Sequence, residues 1–460
     1  MILCVCLDWG RTEGSEQEES YSHTIQVSSL FPSSSSCDLP SKASKTKSSL
    51  HVVHRQGPCS RLSSSKTASI DHEEILRLDQ ARVNSIHSKL SKKVKDEVMQ
   101  SHSAVLPVID GSTLGAADYL VTVGIGTPKH NLSLFFDTGS DLTWTQCEPC
   151  LVRCYSQVEP IFNPFSSSSY ANVSCSSPVC ASLIIGGLHG NCSTSPDCLY
   201  GIRYGDGSFS SGFLATDKFT LTTSDVFDGV NFGCSENNEG LFVGGAGLLG
   251  LGRGNLSFPS QTKNTYHNIF SYCLPSSPDK IGDLTFGSAG ISNDVKYTPI
   301  SSAPGATFYG IDIEGITVGG KKLDIPLTVF STPGAIIDSG TVITHLPPRA
   351  YEELRTAFKA KMTNYTAAPS PPLLDTCYDF TGLETVYIPT ISFSFSGDTD
   401  VELDPTGILY NITISQVCLA FAGNVNDDSV AIFGNVQQKT LQVVYDGASG
   451  RVGFAPNGCS

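Results

Sequence analysis

The chain has little charge, little tryptophan and no long hydrophobic run. Asp, Glu, Lys and Arg make up 16% of its 460 residues, and only two residues are Trp. No run of about 18 apolar residues occurs, so the sequence predicts no membrane-spanning helix. Hydrophobic residues make up 40%, with 43 Gly and 25 Pro, which is typical of a globular protein rich in strands and turns. The length is sufficient for two packed cores.

Two hydrolase signatures are also missing. The chain has no G-x-S-x-G, which argues against a serine-hydrolase elbow, and no H-E-x-x-H, which argues against a zincin helix. Gly250-x-Gly252-x-Gly254 lacks the spacing and the strand-to-helix setting of a phosphate-binding loop. We interpret it as a turn-rich segment.

The net charge of -15 is unevenly distributed. Residues 1–107, called the front segment below, contain 13 basic and 12 acidic residues, whereas the rest of the chain contains 16 basic and 32 acidic residues. Proteins bind the phosphate backbone of nucleic acids with Lys and Arg. The acidic body therefore argues against a nucleic-acid partner.

Cysteine use indicates an oxidising compartment. Twelve of the 16 cysteines lie from Cys147 to Cys459, an even number that suits six disulfides. Cys147, Cys150 and Cys154 could instead bind zinc, but no nearby His completes a tetrahedral site, so disulfides are favoured. Six N-x-S/T sequons agree with a secretory route: Asn131, Asn172, Asn191, Asn255, Asn364 and Asn411.

The first residues do not match a signal peptide. The apolar run from Met1 to Leu7 ends at Asp8 and has no basic start. We therefore expect that the true start lies upstream or in another exon.

The composition and hydrophobic pattern of the chain change twice. Residues 20–70 are Ser-rich, and apolar residues then recur at helical spacing from Asp71, which predicts a basic amphipathic helix over residues 71–98. From Tyr119 onward, short strands alternate with turns, and residues 147–200 form a Cys-rich and Ser-rich insertion. The clearest helical pattern in the body is Pro348 to Met362. The sequence thus predicts an all-β body.

An internal repeat stands out in this body. Phe135-Phe136-Asp137-Thr138-Gly139-Ser140 is echoed by Ile336-Ile337-Asp338-Ser339-Gly340-Thr341. Each copy is followed about a hundred residues later by two apolar residues and a glycine, Leu248-Leu249-Gly250 and Ile432-Phe433-Gly434. One half-molecule therefore occurs twice.

Each repeat ends an apolar strand with a carboxylate. If the halves pack about a pseudo-twofold axis, Asp137 and Asp338 meet and share one proton, because two adjacent carboxylates cannot both ionise cheaply. The ionised member can take a proton from a water while the other binds a substrate carbonyl. This chemistry works in acid and needs no metal or cofactor. Thr138 and Ser339 can hydrogen-bond between the halves.

These motifs resemble those of pepsin-family aspartic proteases, and the Cys-rich insertion resembles the plant nepenthesin-type branch. The similarity covers about residues 115–460 and implies a bilobal all-β fold, with residues 108–290 and 291–460 as the two lobes. Tyr204 to Ser208 matches the hairpin flap, which makes Tyr204 the flap tyrosine and Trp144 its expected hydrogen-bond partner. The implied site comprises the catalytic pair Asp137 and Asp338, the substrate-binding residues Gly139, Tyr204, Gly205, Asp206, Gly340 and Thr341, and the supporting residues Thr138, Ser140, Trp144 and Ser339.

The same resemblance implies a disulfide connectivity that spacing alone cannot choose. The implied pairs are Cys147–Cys150, Cys154–Cys234, Cys175–Cys198, Cys180–Cys192, Cys273–Cys459 and Cys377–Cys418.

The resemblance also gives the front segment a role. A Lys-rich helix in front of an acidic cleft resembles the inhibitory prosegment of the family, although no particular Lys is assigned to the aspartates. We expect cleavage between Val105 and Gly115 on activation.

The resulting hypothesis is a secreted, monomeric, acid-active endopeptidase of the apoplast that acts on proteins or peptides, with plastid or vacuole as alternative locations. Similar plant proteins include apoplastic, defence-linked aspartyl proteases and chloroplast-nucleoid DNA-binding ones. Two alternatives remain: a silent pepsin-fold inhibitor, against which the intact Asp137 and Asp338 argue, and a plastid DNA-associated protease, which the basic front segment suggests.

Overall fold

The computed structural model describes residues 21–30, 37, 48–64, 72–92, 119–185, 192, 196–204, 208–240, 242, 244–302, 307–413 and 415–459. No helix in these ranges combines the length and the hydropathy that a membrane span requires.

The described residues form 29 strands. Two belong to the front segment, β1 Ser22–Gln26 and β2 Ser49–His54. Ten follow as far as residue 286: β3 Tyr119–Ile125, β4 His130–Asp137, β5 Trp144–Gln146, β6 Ala171–Asn172, β7 Leu199–Arg203, β8 Phe209–Thr220, β9 Val226–Glu239, β10 Gly247–Gly250, β11 Ile269–Cys273 and β12 Ile281–Phe286. The rest are β13 Lys296–Pro299, β14 Tyr309–Ile311, β15 Ile313–Val318, β16 Lys321–Lys322, β17 Ala335–Ile337, β18 Thr344–Leu346, β19 Thr366–Ala367, β20 Cys377–Asp379, β21 Thr385–Pro389, β22 Ile391–Phe395, β23 Thr399–Glu402, β24 Leu409–Asn411, β25 Gln416–Leu419, β26 Phe421–Gly423, β27 Ala431–Phe433, β28 Gln442–Asp446 and β29 Arg451–Ala455.

Helices are few and mostly short. Those in the described ranges are α1 His72–Lys92, α2 Pro178–Ile185, α3 Phe258–Gln261, α4 Lys263–Tyr266, α5 Thr328–Ser331, α6 Pro348–Lys361 and α7 Pro405–Ile408. The all-β prediction is confirmed, as is the helix that begins at Pro348. The helix predicted over residues 71–98 begins at His72 and ends at Lys92, and the remainder of that prediction lies outside the described residues.

The strands follow the alternation expected when one face packs on a core and the other meets solvent. Along β22, Ile391, Phe393 and Phe395 are buried while Ser392 and Ser394 are half-buried. Strand β4 differs, because its last six residues, Leu132 to Asp137, are all buried. A strand buried on both faces places its final carboxylate inside the protein.

One large sheet connects the two halves of the body. Its strand order is β13-β29-β28-β11-β12-β2-β3-β4-β10-β5-β9-β8-β6, so strands from near the C-terminus continue into the sheet that contains Asp137. The front segment takes part in this sheet, since β2 is hydrogen-bonded between β12 and β3.

The sequence repeat is a structural repeat. Strand β4 pairs in parallel with β10, which sets Asp137 opposite Gly250. Strand β17 pairs in parallel with β27, which sets Ile337 opposite Phe433. Each parallel pair is extended by a third short strand that runs antiparallel to its neighbour: β5 lies beside β10, and β18 lies beside β27. The prediction of two related halves is confirmed.

The front segment also adds a strand to the second half. Strand β1 pairs antiparallel with β21, from Ser22 opposite Pro389 to Gln26 opposite Thr385. Ile25 and Leu30 are buried in the main hydrophobic core. The front segment is therefore held by two sheet contacts in addition to helix α1.

The disulfide pairing corrects part of the connectivity that the resemblance implied. Cys273–Cys459 and Cys377–Cys418 are as expected. The other four expected pairs are wrong, and an additional bridge joins Cys37 to Cys59 in the front segment. The observed partners in the first half are Cys147–Cys234, Cys150–Cys154, Cys175–Cys192 and Cys180–Cys198.

Sheet pairing and burial explain why the observed disulfide partners differ from the expected ones. Strand β5 runs parallel to β9 with Thr145 opposite Cys234, so the chain carries Cys147 past Cys234, and their Cα atoms are 5.4 Å apart. Cys150 is left to close a tight turn with Cys154, four residues later. In the insertion, Cys180 and Cys198 meet in the buried cluster, which leaves the less buried Cys175 and Cys192 to each other.

Among the disulfides of the described residues, Cys273–Cys459 closes the longest loop, so its removal should lower stability the most. Cys273–Cys459 has a sequence separation of 186, and replacing both residues with Ser should lower the free energy of unfolding by about 2 to 5 kcal/mol. Cys150–Cys154, with a separation of four, is the matched control, because its loss frees little additional chain entropy. Equal losses for the two variants in denaturant unfolding would contradict this prediction.

The sequons differ in accessibility. Four are exposed: Asn131, Asn172, Asn255 and Asn364. Asn411 is half-buried, and its side-chain N–H donates to the carbonyl of Leu30 in the front segment. Asn191 lies outside the described residues. Glycosylation stays a prediction.

Candidate active site

Two carboxylates occupy equivalent positions in the two halves. Asp137 is the last residue of β4, and Asp338 directly follows β17. Both side chains are fully buried. The parallel pairs β4–β10 and β17–β27 therefore place both aspartates at strand ends in the interior, as the repeat predicted.

Each carboxylate is held by the same pattern of donors. Asp137 accepts from the backbone N–H of Gly139 at 2.9 Å and from Ser140 Oγ at 2.6 Å. Asp338 accepts from the backbone N–H of Gly340 at 3.2 Å and from Thr341 Oγ1 at 2.6 Å. These bonds orient the carboxylates and stabilise their ionised forms.

The two halves are joined directly behind the aspartates. The backbone N–H of Thr138 donates to Ser339 Oγ at 3.1 Å, and the backbone N–H of Ser339 donates to Thr138 Oγ1 at 2.9 Å. The expected bond between the halves is thus a reciprocal pair. Sequence reasoning missed Asn435, whose side-chain N–H donates to the carbonyl of Ser339 at 3.1 Å.

The two glycines of the repeat are needed for close approach. A Cβ atom at Gly139 would lie 2.7 Å from Asp338 Oδ1, and one at Gly340 would lie 2.5 Å from Asp137 Oδ1. Each glycine therefore makes room for the carboxylate of the opposite half.

The flap tyrosine has the expected partner. Trp144 Nε1 donates to Tyr204 Oη at 2.8 Å, and both side chains are buried. Phe242, which sequence reasoning missed, packs edge-on against both rings. The backbone N–H of Tyr204 donates to the carbonyl of Ser208 and closes the base of the hairpin. Gly205 and Asp206 lie outside the described residues.

An arginine of helix α1 contacts both aspartates. Arg82 Nη2 lies 2.7 Å from Asp137 Oδ1 and 2.9 Å from Asp338 Oδ2, and its Nε donates to Asp338 Oδ2 at 3.0 Å. The Arg82 side chain is only 13% exposed. The cation over the aspartates is therefore an Arg in the middle of the helix, whereas the sequence had suggested a Lys.

This guanidinium changes the protonation of the pair. Burial alone would raise the pKa of Asp137, but the Arg82 charge and the hydrogen bonds from Ser140, Arg82 and Gly139 hold that pKa below its usual value. Burial raises the pKa of Asp338, and the charge of Asp137 keeps it raised although Arg82 opposes the shift. The two carboxylates therefore differ, with the pKa of Asp137 below its usual value and the pKa of Asp338 above it.

Helix α1 covers the second half on both sides of Arg82. Ile75 and Leu76 pack in one apolar cluster with Val342 and Ile343. Val83 and Ile86 pack in another, whose members from the second half are Phe308, Ile336, Val430 and Ile432. The helix therefore covers the aspartates through a cation flanked by two apolar contacts.

Two family models match this chain. The model described as xylanase inhibitor N-terminal matches residues 119–288, and the model described as xylanase inhibitor C-terminal matches residues 308–456. An aspartyl protease family protein of Arabidopsis thaliana is 66% identical, with 100% of this chain and 98% of the relative covered. The chain belongs to the plant aspartic protease family.

Two further relatives are also named as aspartic proteases. The aspartyl protease AED1 of Arabidopsis thaliana is 64% identical over 100% of this chain and 98% of its own length. The aspartic proteinase nepenthesin-2 of Nepenthes gracilis is 40% identical over 79% of this chain and 82% of its own length. The protein is accordingly an aspartic endopeptidase, and its substrates are proteins or peptides.

Solved structures show the fold. The crystal structure of edgp has a TM-score of 0.59 and 21% identity and covers 76% of this chain and 93% of its own. Soybean basic 7S globulin has a TM-score of 0.59 and 19% identity and covers 75% and 94%. This plant aspartic protease therefore has the expected bilobal pepsin-like fold.

The bond between Trp144 and Tyr204 makes a testable contribution to the protease. Trp144→Phe leaves the Tyr204 hydroxyl without its buried donor, which should lower kcat/KM roughly tenfold, mainly through KM, because the flap is positioned less firmly over the substrate. Peptide kinetics of Trp144→Phe, Tyr204→Phe and the double variant provide the check. If the hydrogen bond is the cause, the double variant is no worse than the poorer single one, whereas additive losses would contradict this explanation.

Proposed function

We propose that this aspartic endopeptidase is made as a latent zymogen in which the front segment blocks the catalytic pair. The observation that carries the proposal is the contact of the Arg82 guanidinium with both Asp137 and Asp338. A substrate carbonyl and an attacking water would have to occupy the same space as this guanidinium. The sheet contacts of β1 and β2 support the proposal because they hold the segment in place.

The activated enzyme would hydrolyse peptide bonds through a shared proton. With Arg82 removed, the pair Asp137 and Asp338 would hold one proton between them. The ionised carboxylate takes a proton from a water molecule, which attacks the substrate carbonyl, while the protonated carboxyl donates to the carbonyl oxygen. The tetrahedral intermediate then collapses and its C–N bond breaks. The carboxyl that took the proton from water passes it to the leaving amine, and a hydroxyl of the intermediate returns a proton to the other carboxylate, so that the pair again holds one proton. The donors from Ser140 and Thr341 keep both carboxylates oriented through these steps.

The covered surface supports cleavage beside apolar residues. Release of helix α1 would uncover Val342 and Ile343 on one side of the pair and Phe308 and Ile432 on the other. Apolar side chains of an extended substrate gain free energy by covering this surface, as the helix does. Cleavage of the chain between Val105 and Gly115, outside the described residues, would release the segment.

Secretion to the apoplast belongs to the same proposal. Seven disulfides in the described residues, including Cys37–Cys59 of the front segment, favour an oxidising compartment. Four exposed sequons are accessible to glycosylation. Fractionation of plant tissue that expresses the tagged full chain would place the protein in the apoplast, the vacuole or the plastid.

The intact catalytic pair favours the protease over a silent inhibitor, although the matching family models carry an inhibitor name. The test is cleavage of a denatured protein by the purified full chain at a series of pH values, with and without pepstatin. We expect cleavage in acid, accompanied by shortening of the chain and abolished by pepstatin. A correctly oxidised, shortened chain without activity would contradict the proposed function.

A further inference from the structure

Helix α1 makes a second buried polar contact, through Asp79. Asp79 lies three residues before Arg82 and is fully buried. Its Oδ1 accepts from the backbone N–H of Val342 at 2.7 Å, and its Oδ2 accepts from the backbone N–H of Ile343 at 3.0 Å. Two consecutive backbone N–H groups therefore point at a single carboxylate.

A histidine completes this set of donors. His345 Nε2 lies 3.4 Å from Asp79 Oδ2, and the ring is fully buried. Among the described residues, His345 Nδ1 has no hydrogen-bond partner. No acceptor there competes for the ring proton, so the tautomer with hydrogen on Nε2 can donate to the carboxylate. Pairing of β18 with β26 and β27 fixes the position of His345.

The three donors belong to the body of the protease, next to the catalytic pair. Val342 directly follows Thr341, which donates to Asp338. The only member of the cluster that belongs to the front segment is the acceptor, Asp79. When the segment leaves, the acceptor leaves with it, but the two N–H groups and the histidine remain on the surface that helix α1 covered.

We propose that Val342, Ile343 and His345 form a subsite of the activated protease that binds a carboxylate side chain, Asp or Glu, of the protein substrate. The inference rests on the proposed release of the front segment. Charge-assisted hydrogen bonds to a carboxylate are about twice as strong as neutral ones, and donors left unpaired on binding are costly. A substrate carboxylate restores the three contacts that Asp79 makes in the latent form.

The charge of the body makes this preference distinctive. The chain outside the front segment has 16 basic and 32 acidic residues, so its overall field disfavours acidic substrates. A preference for Asp over Asn at one substrate position must therefore come from local donors. General electrostatic attraction would favour basic residues at every position.

The experiment uses the full chain after activation in acid. Peptide pairs differ only by Asp or Asn at each of the four positions on either side of the cleaved bond. The assay runs at about pH 5, above the ordinary Asp pKa of about 3.9, so that the substrate carboxylate is ionised. We expect kcat/KM to be about tenfold higher for Asp than for Asn at one of these positions.

Variants separate the subsite from other causes. In His345→Leu the ratio of Asp to Asn cleavage should fall to about one or two, and His345→Gln, which keeps an N–H donor, should restore part of it. Asp79→Asn is the matched control, because this residue is lost on activation and the activated enzyme should keep the full ratio. Pepstatin binding reports whether each activated variant is folded.

The outcomes are distinguishable from failure of the proposed function. Pepstatin-sensitive cleavage of both members of each peptide pair at equal rates, at every position tested, would overturn the subsite. An unchanged Asp preference in a folded His345→Leu would overturn the role of the histidine. Complete absence of pepstatin-sensitive cleavage would instead contradict the protease mechanism proposed above.

Discussion

Replacing Asp137 with Asn should lower kcat/KM of the activated protease by at least about a thousandfold. The carboxamide has nearly the shape of the carboxylate and can keep the bonds from Gly139 and Ser140. It cannot take a proton from water, and it removes the negative charge that keeps the pKa of Asp338 raised. General base catalysis and the shared proton are therefore lost together.

The measurement is single-turnover cleavage of a peptide by the processed form of Asp137→Asn. Because this variant should not shorten itself, a small amount of wild-type protease activates it and is then removed. Asp283→Asn is a matched control: burial raises the pKa of Asp283 on β12, but its carboxylate contacts Thr285 and no part of the pair. A folded Asp137→Asn that retains a tenth of wild-type activity would contradict the mechanism.

The fold was accessible from sequence because its main signals are local and repeated. Apolar strands that end in Asp137 and Asp338, each with a later apolar-apolar-Gly partner, define the same three-strand unit twice. A period of two along short strands is enough to predict an all-β body. The insertion of β2 between β12 and β3 could not be predicted, since such pairing depends on contacts between distant residues.

The catalytic pair and the Trp144–Tyr204 bond were also predictable, but Arg82 was not. The expectation of a covering Lys came from the net charge of the helix. The structure instead uses Arg82 on the buried stripe, beside Asp79, between the apolar residues Leu78 and Val83. Two charged residues within an apolar stripe are the signal that could have identified both contacts, because burial of unpaired charge is costly.

The disulfide connectivity was only partly predictable from the family resemblance. Cysteine count and spacing predicted bridges, but the choice among neighbouring cysteines separated by three to six residues depends on which one the fold brings next to its partner. Cys147 follows β5 alongside β9 and meets Cys234, which spacing could not reveal.

Replacing Arg82 with Gln should raise the midpoint pH of activation of the full chain by about one to two units. In the latent form Arg82 holds the pKa of Asp137 below its usual value. In the released form no guanidinium opposes the protonation of Asp137 or Asp338, so the pair takes up protons at a higher pH than in the latent form. The released form therefore binds more protons and is favoured as the pH falls.

The sign of the effect follows from this difference in proton binding. The stabilisation that Arg82 gives the latent form is fully present above the pH at which the released pair takes up its shared proton, and it is lost as the pH falls through the lowered pKa of Asp137. In Arg82→Gln the carboxylates lose their cation and take up a proton even while helix α1 is seated. The latent form is then less stable relative to the released form near neutral pH, and release of the front segment depends less steeply on pH.

The measurement is the fraction of full chain shortened after a fixed time at each pH, followed by gel electrophoresis. Arg77→Gln is the matched control, because Arg77 lies on the same helix, is 62% exposed and pairs with Glu74 of that helix. Its midpoint should stay at the wild-type value. If Arg82→Gln and Arg77→Gln activate at the same pH, latency depends on the apolar and sheet contacts of the front segment, and the charge over the catalytic pair does not set the pH of release.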